Sequence, residues 1–327
     1  MTSAMYSRTE AEALIKTGRF LALAADEAVL RQLPPGNWIG GTTPYFVGEE
    51  GGLMSRELVH VTELAEAGSA ATLVEYDRAG LQRIAGEGPE NGFTLVIIPA
   101  LSDLHREYAS GADEYPGMFM TPIVGWIAGV HLDDLGKVTP KVVNGRTGKV
   151  SDAMAVALHV PLPARQLAMI RILNLFHPGD GDVLTFPKDG FTAADCLVNG
   201  QPANFAEYVA EQKLDLARPL VADYNGARVN TSFQSVEPGV VHFYAPVFTG
   251  VDYRHAAPVG DYVQELNALV AGLQAAPRFS CNCILNYLFG KLEGRRTGEL
   301  TGPVTFGEIG YQLLNQTLVY LEVVNKW

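Results

Sequence analysis

The last fifty residues, Arg278 to Trp327, constrain the fold more than any other stretch. They read R-F-S-C-N-C-I-L-N-Y-L-F-G-K-L-E-G, then T-G-P-V-T-F-G-E-I-G-Y, then N-Q-T-L-V-Y-L-E-V. The apolar run into Cys281-Asn282-Cys283 predicts a buried strand, followed by a short helix and loop. A strand bracketed by glycines then carries Glu308, and an apolar strand closes the chain. A carboxylate between Gly307 and Ile309 has apolar neighbours, so it must be paired, hydrated or functional. Alternation along the first strand puts Cys281 and Cys283 on one side and Asn282 on the other.

Upstream, Ser7 with Glu10 forms a capping-box pattern, and apolar residues from Leu14 to Leu33 recur at roughly helical spacing. Residues 7–33 are therefore expected to be helical, with Gly18 as a break and Pro34-Pro35 as the stop. Asn37 to Phe46 reads as a short strand into Gly40-Gly41, where the backbone can turn tightly or approach a ligand. Strands are expected at Val59–Leu64, Phe93–Leu101, Thr121–Val130, Val138–Val143 and Asp152–Val160, with a short helix at Asp77–Gly86. Pro161 and Pro163 mark a boundary between two halves, 1–164 and 165–327. The second half predicts strands at Gln166–Phe176, Asp182–Phe186, Asp195–Val198, Arg228–Val236, Val240–Val247 and Val251–Ala256. Helices are expected at Ala203–Gln212 and Asp261–Ala275. Strands and helices alternate without a regular parallel period. The fold class is mixed α/β, with largely antiparallel sheets, flanking helices and two related halves.

Repetition is visible in one respect. Trp38 to Phe46 is similar to Leu300 to Glu308, and Pro122-Ile123-Val124-Gly125 shares the same character. Each is a glycine-marked strand.

The chain has 327 residues and a formal charge of −12. That charge repels phosphate backbones and anionic lipid, which argues against nucleic-acid and membrane partners. Cys196, Cys281 and Cys283 are an odd set and no disulfide framework. No stretch approaches the ~20 apolar residues of a membrane span, and Phe20–Ala25 is too short for a signal core and lies behind acidic residues. These features predict a cytoplasmic protein.

Several of these stretches resemble the FIST family (F-box and intracellular signal transduction), paired N- and C-terminal sensory domains. Phe279-Ser280-Cys281, Phe289-Gly290, the run Gly302 to Gly310 and Asn315-Gln316-Thr317 are similar to that family's closing pattern, and Val198 to Ala203 to the start of its C-terminal domain. In the first half, Trp38 to Thr43, Thr121 to Gly129, Val142 to Gly145 and Ala153 to Leu158 resemble its N-terminal domain. The similarity spans Leu33 to Val323. One departure is that no arginine follows the cysteine strand, which runs Cys281 to Asn286. The resemblance implies small-ligand sensing coupled to signalling through a separate protein, and it does not imply catalysis.

The ligand is expected between the halves, against Gly40, Gly41, Thr42, Thr43, Cys281, Asn282, Cys283, Thr305, Gly307 and Glu308. Hydroxyls, amides and one carboxylate there suit a neutral or zwitterionic, amino-acid-like metabolite. No cofactor is identified. The histidines (His60, His105, His131, His159, His177, His242 and His255) make no metal or haem motif, and a Cys-x-Cys alone does not complete a zinc site. Nucleophile-elbow, Walker and dinucleotide signatures are absent from the sequence. The alternatives are a hydrolase or transferase using Cys281 or Cys283, for which no sequence neighbour supplies a base, and a ligand-free interaction scaffold.

Overall fold

The structure, a computed structural model, describes residues 3–224, 227–273 and 277–326. It is mixed α/β, 17% helix and 43% strand, so strand pairing organises it. No helix among the described residues is long and apolar enough to cross a membrane.

The N-terminal region departs from the expected helix over 7–33. Ser7 does form its capping box with Glu10, but the helix it starts, α1 (Arg8–Lys16), ends before Gly18, which has φ +75°. Phe20–Ala25 is a strand with all six residues buried, and only Glu27–Leu30 returns to helix as α2. A short apolar run bounded by turns reads equally well as either element, and burial on both faces favours the strand.

Three units follow one another along the chain. The first comprises β1 (Ser3–Tyr6), β2 (Phe20–Ala25), β3 (Trp38–Thr42), β4 (Tyr45–Gly48), β5 (Gly51–Met54) and β6 (Val59–Ala65). The second comprises β7 (Thr72–Tyr76), β8 (Gly92–Pro99), β9 (Ile123–Ala128), β10 (Val142–Asn144), β11 (Lys149–Ser151) and β12 (Ala155–Pro161), with α3 (Asp103–Gly111) between β8 and β9. The third opens with β13 (Gln166–Leu173) and is interrupted by an insert. The insert holds β14 (Leu184–Thr185), β15 (Gly190–Ala193), β16 (Asp195–Val198), β17 (Gln201–Asn204), α4 (Phe205–Glu211), β18 (Leu220–Tyr224), β19 (Ala227–Thr231), β20 (Phe233–Glu237), β21 (Val240–Val247) and β22 (Tyr253–His255). The unit resumes with α5 (Tyr262–Val270), β23 (Phe279–Cys283), α6 (Ile284–Phe289), β24 (Gly302–Thr305), β25 (Glu308–Gly310), β26 (Gln312–Leu314) and β27 (Leu318–Asn325).

The three units build three six-stranded sheets of one design: β1-β6-β2-β3-β10-β11, β7-β12-β8-β9-β25-β26 and β13-β27-β23-β24-β4-β5. In each, one central pair is parallel (β2 with β3, β8 with β9, β23 with β24) and its neighbours are antiparallel. A parallel pair needs a crossover, and α2, α3 and α6 lie in those connections. Each unit's hairpin leaves its own sheet and extends another's. Register carries the same repeat: Gly40 faces Val143, Trp126 faces Glu308 and Pro303 faces Phe46. The parallel pairs end together at Ala25 with Thr42, Pro99 with Ala128 and Cys283 with Thr305. The glycine-marked stretches noticed in the sequence are thus the third strands of the three units. Thr42 corresponds to Thr305, one residue out of step with the alignment of Trp38 to Leu300. The division at 164/165 leaves two units before it and the third, with the insert, after it.

The inner faces of the three sheets share one core, in which Ile39, Leu95, Ile97, Trp126, Phe279 and Leu321 are all at most 1% exposed. Trp126 stacks on Phe279 with ring centroids 5.5 Å apart. The third strands cross closely where they leave it. Gly129 N–H donates to Thr42 O (2.7 Å), Phe306 N–H to Ile127 O (3.0 Å) and the Thr43 hydroxyl to Val304 O (2.7 Å). Only a glycine fits at 129, because a Cβ there would lie 2.3 Å from the Phe306 ring.

Several boundaries differ from expectation. Asp77–Gly86 contains only a 3-10 turn at Leu81–Arg83. Strand β10 begins at Val142, after Pro140, which has no N–H to give a ladder. Arg228–Val236 is two strands broken at Ser232, and β18 falls in a stretch where no strand was expected. Helix α5 ends at Val270, and residues 274–275 of the expected helix lie outside the described residues. The insert has its own aromatic core of Phe186, Phe205, Phe243 and Tyr253.

Candidate functional site

All ten residues expected at a ligand are buried. Gly40 and Gly41 make room for indoles: a Cβ at 40 would lie 2.9 Å from the Trp38 ring, and one at 41 would lie 2.8 Å from Trp126 Nε1. Gly307 packs against Leu313 and Ile127. Thr42 accepts from Lys141 N–H (2.9 Å). With Thr43 it lines a cavity of about 350 Å³ whose charges pair with one another: Arg56 with Asp26 and Asp134, and Glu27 with Arg31 and Lys141.

Cys281, Asn282, Cys283, Thr305 and Glu308 come together around the end of β23. Glu308 is fully buried, and its Oε2 accepts from Thr317 N–H (3.1 Å) and the Thr317 hydroxyl (2.8 Å). Burial pushes its carboxyl up to about 8, against the pull of the Thr317 donors. Asn282 Oδ1 accepts from Cys283 N–H and from Asn286 Nδ2, which holds the start of α6. The Thr305 hydroxyl donates to Gly307 O (3.0 Å). The thiols have different surroundings, because the chain turns into α6 at Cys283. Cys281 donates to Gly125 O (3.4 Å) within the central core, while Cys283 packs with Tyr262, Ile284 and Leu318. Burial, then the nearby Glu308 carboxyl, pushes both thiols well above their ordinary range. Among the described residues, no group of three or more His, Cys, Asp or Glu side chains could hold a metal ion.

Beside this cluster, at the carboxyl ends of β8 and β23, lies a cavity of about 340 Å³. Such strand ends are where open α/β sheets receive ligands. Its wall is mainly apolar, with Leu101, Leu132, Leu285, Leu288 and Phe306 contributing. The polar members of the lining are His105, Gln234, Tyr244, Cys283 and Asn315, and among the described residues no Lys, Arg, Asp or Glu lines it. His105 is 8% exposed and Asn315 is 2% exposed. Among the described residues, His105 Nε2 and Asn315 Nδ2 have no hydrogen-bond partner, and both atoms are shielded from solvent. Leaving such a buried group unpaired costs about 1–3 kcal/mol, so two on residues that line one cavity call for an explanation.

Both groups are held from behind. Ser102 caps α3 by accepting from His105 N–H, and His105 Nδ1 accepts from Leu101 N–H (3.3 Å). Burial lowers the imidazole pKa to about 4, so the ring is neutral near pH 7. Asn315 belongs to an amide network that clamps the insert to the loop before β27. Asn230 Nδ2 donates to Asn315 O and Gln316 O, and Ser232 Oγ lies 2.7 Å from Asn315 Oδ1. Gln234 and Tyr244, both from the insert, close the cavity.

Leu101 takes φ +63° at the rim, a conformation that costs a branched residue about 1–2 kcal/mol. Leu101→Gly is expected to raise stability by about 0.5–1 kcal/mol, read as an upward shift of the urea midpoint. A downward shift would mean that the leucine's contacts outweigh the strain.

Sequence reasoning named His105 only among scattered histidines and did not select Leu101, Gln234 or Tyr244. The available signal was the strand-to-helix turn Pro99 to Asp103. Its meaning depends on β8 being a parallel strand, which its own residues do not reveal.

A search of curated proteins returned no match. The sequence profile of DUF6976, described as a family of unknown function, matches residues 6–324, nearly the whole chain, and the protein belongs to that family.

Proposed function

We propose that this protein binds a small ligand without transforming it, in the cavity between α3, α6 and the insert, and acts in the cytoplasm through a separate signalling protein. The observation that carries this reading is a mainly apolar cavity of about 340 Å³ at the strand ends, with the buried side chains of His105 and Asn315 among its few polar lining residues. Ligand sites have this composition: an apolar wall and a few placed polar groups that fix orientation. Protonated thiols weigh against a cysteine nucleophile, since the thiolate is the reactive form. Three free cysteines suit a reducing compartment. The resemblance to FIST sensory domains points the same way. The cavity's lack of charge favours a neutral ligand over an amino-acid-like one.

A thermal-shift screen of small metabolites tests the reading. A ligand at a hundred times its dissociation constant adds about 2.7 kcal/mol, a shift of about a few degrees in a chain of this size. The shift is expected to disappear in His105→Phe and Asn315→Leu. Hits that persist undiminished in both variants would place the ligand elsewhere.

A further inference from the structure

The seam between α3 and the insert opens twice. The cavity described above lies at the His105 and Tyr244 end of it. A second cavity, of about 520 Å³, lies at the Tyr108 and Ala245 end and shares no lining residue with the first. Junctions between structural units are where small-molecule sites concentrate.

The wall of this second cavity is mainly apolar, with Phe119, Pro246, Phe248, Val251 and Leu313 contributing. Phe119 is 62% exposed, so its ring sits at the rim, while its neighbour Met118, 1% exposed, anchors the loop. Most polar groups of the lining are engaged within the protein. The Tyr108 hydroxyl donates to Tyr311 O (2.5 Å), and the Thr231 hydroxyl to Pro246 O (3.3 Å). Asn230 Nδ2 donates to Asn315 O and Gln316 O, and its Oδ1 accepts from Asn174 Nδ2 (2.9 Å).

Two polar side chains of the lining are left over, Asp113 and Gln312. Neither has a hydrogen-bond or ion-pair partner among the described residues. Both are open to solvent: Asp113 is exposed, and the half-buried Gln312 has no amide atom shut off from water. They belong to adjoining elements, because the 3-10 turn Ala112–Glu114 packs against β26. Among the described residues, Asp113 is the one charged side chain in the lining.

An unpaired carboxylate beside aromatic rings, with no Lys or Arg to neutralise it, favours a cation, since the ring faces also carry partial negative charge. An anion entering the cavity would meet Asp113 and no counter-ion. The Gln312 carbonyl accepts a further N–H, which a quaternary ammonium does not have. We infer, independently of the binding reading above, that this cavity is a second site, for a primary or secondary amine on an apolar body. The ammonium pairs with Asp113 and donates to the Gln312 carbonyl. The body lies against Phe119, Phe248 and Leu313.

Three compounds of one length test this by calorimetric titration in about 0.15 M salt, which screens distant surface charge: 4-phenylbutylammonium, 4-phenylbutan-1-ol and 4-phenylbutanoate. The amine is expected to bind the wild-type protein about tenfold more tightly than the alcohol, with no measurable binding of the acid. Asp113→Asn is expected to bring amine and alcohol level, and Phe119→Ala to weaken both. Glu114→Gln removes a neighbouring charge outside the lining and is expected to leave amine binding unchanged. The wild-type comparison needs no variant, so a variant that fails to fold leaves the test intact. An alcohol as tight as the amine, or an acid tighter than either, overturns the amine assignment. An amine that binds equally well to Asp113→Asn and Phe119→Ala sits elsewhere, and the site falls. A loss in Glu114→Gln as large as in Asp113→Asn would mean that the chain's charge of −12 attracts the amine without a site. If none of the three binds, site and class fall together.

Discussion

Glu308→Gln is expected to remove the stability loss that Glu308 itself causes as pH rises from about 4.5 to 8. Burial raises the folded-state pKa of Glu308 from 4.5 to about 8. The folded protein therefore holds a proton that the unfolded chain has released across that window. Its contribution is fully present below about 4.5 and is lost as pH rises through about 8. Each pH unit inside the window is worth about 1.4 kcal/mol, so the wild type should lose on the order of 4 kcal/mol relative to Glu308→Gln between pH 5 and 9. Glutamine keeps an acceptor for both Thr317 donors and carries no charge to bury. Burial of His60 and His105 lowers each to about 4, which gives the opposite slope on the acid side. Both histidines remain in the variant, so the difference between the two proteins isolates Glu308. Urea midpoints at half-unit steps supply the measurement. Parallel curves would mean that the carboxyl titrates normally and that water reaches it.

Gly125→Ala is expected to prevent folding or to cost at least about 3 kcal/mol. A Cβ at 125 would lie 1.8 Å from Val96 O, the carbonyl of the residue paired with it on the parallel strand. Backbone at that distance cannot yield without breaking the β8–β9 ladder. Gly302 occupies the equivalent place in the third unit, where a Cβ would lie 2.0 Å from Ser280 O, so Gly302→Ala should behave alike. Gly181→Ala is the control, because nothing lies within 4 Å of its Cβ position and its φ is not left-handed. It should change stability by less than about 0.5 kcal/mol. Soluble yield and urea midpoints distinguish these outcomes. A stable Gly125→Ala protein would show that the parallel pair can spread, and the close crossing of the third strands would lose its support.

Local chemistry was legible where a few adjacent residues settle it. Ser7 and Glu10 made the expected capping box, Asn204 accepts from Glu207 N–H at the start of α4, and the apolar run Phe93–Leu101 holds the deeply buried strand it predicted, although that strand ends at Pro99 and Leu101 is exposed. Legibility failed where two elements satisfy the same pattern. Phe20–Ala25 is apolar enough for helix or strand, and pairing with β3 and β6 decides for strand. Gly40-Gly41 was read as a tight turn or a close approach to a ligand, but what approaches Gly41 is the Ile97 and Trp126 side chains.

The sequence by itself determined the mixed α/β class, the glycine-marked strands and the apolar setting of the acid at 308, because periodicity, turn chemistry and apolar runs are properties of neighbours along the chain. Tertiary structure alone decided that each unit gives its hairpin to another unit's sheet. It also decided that His105, Gln234 and Asn315, from distant parts of the chain, meet at one cavity. Which sheet edge accepts a hairpin is set by the shape and pairing of edges far away in sequence, and no local pattern encodes that choice. The same holds for an unpaired polar group: it becomes conspicuous only when the surrounding core has closed and water is gone.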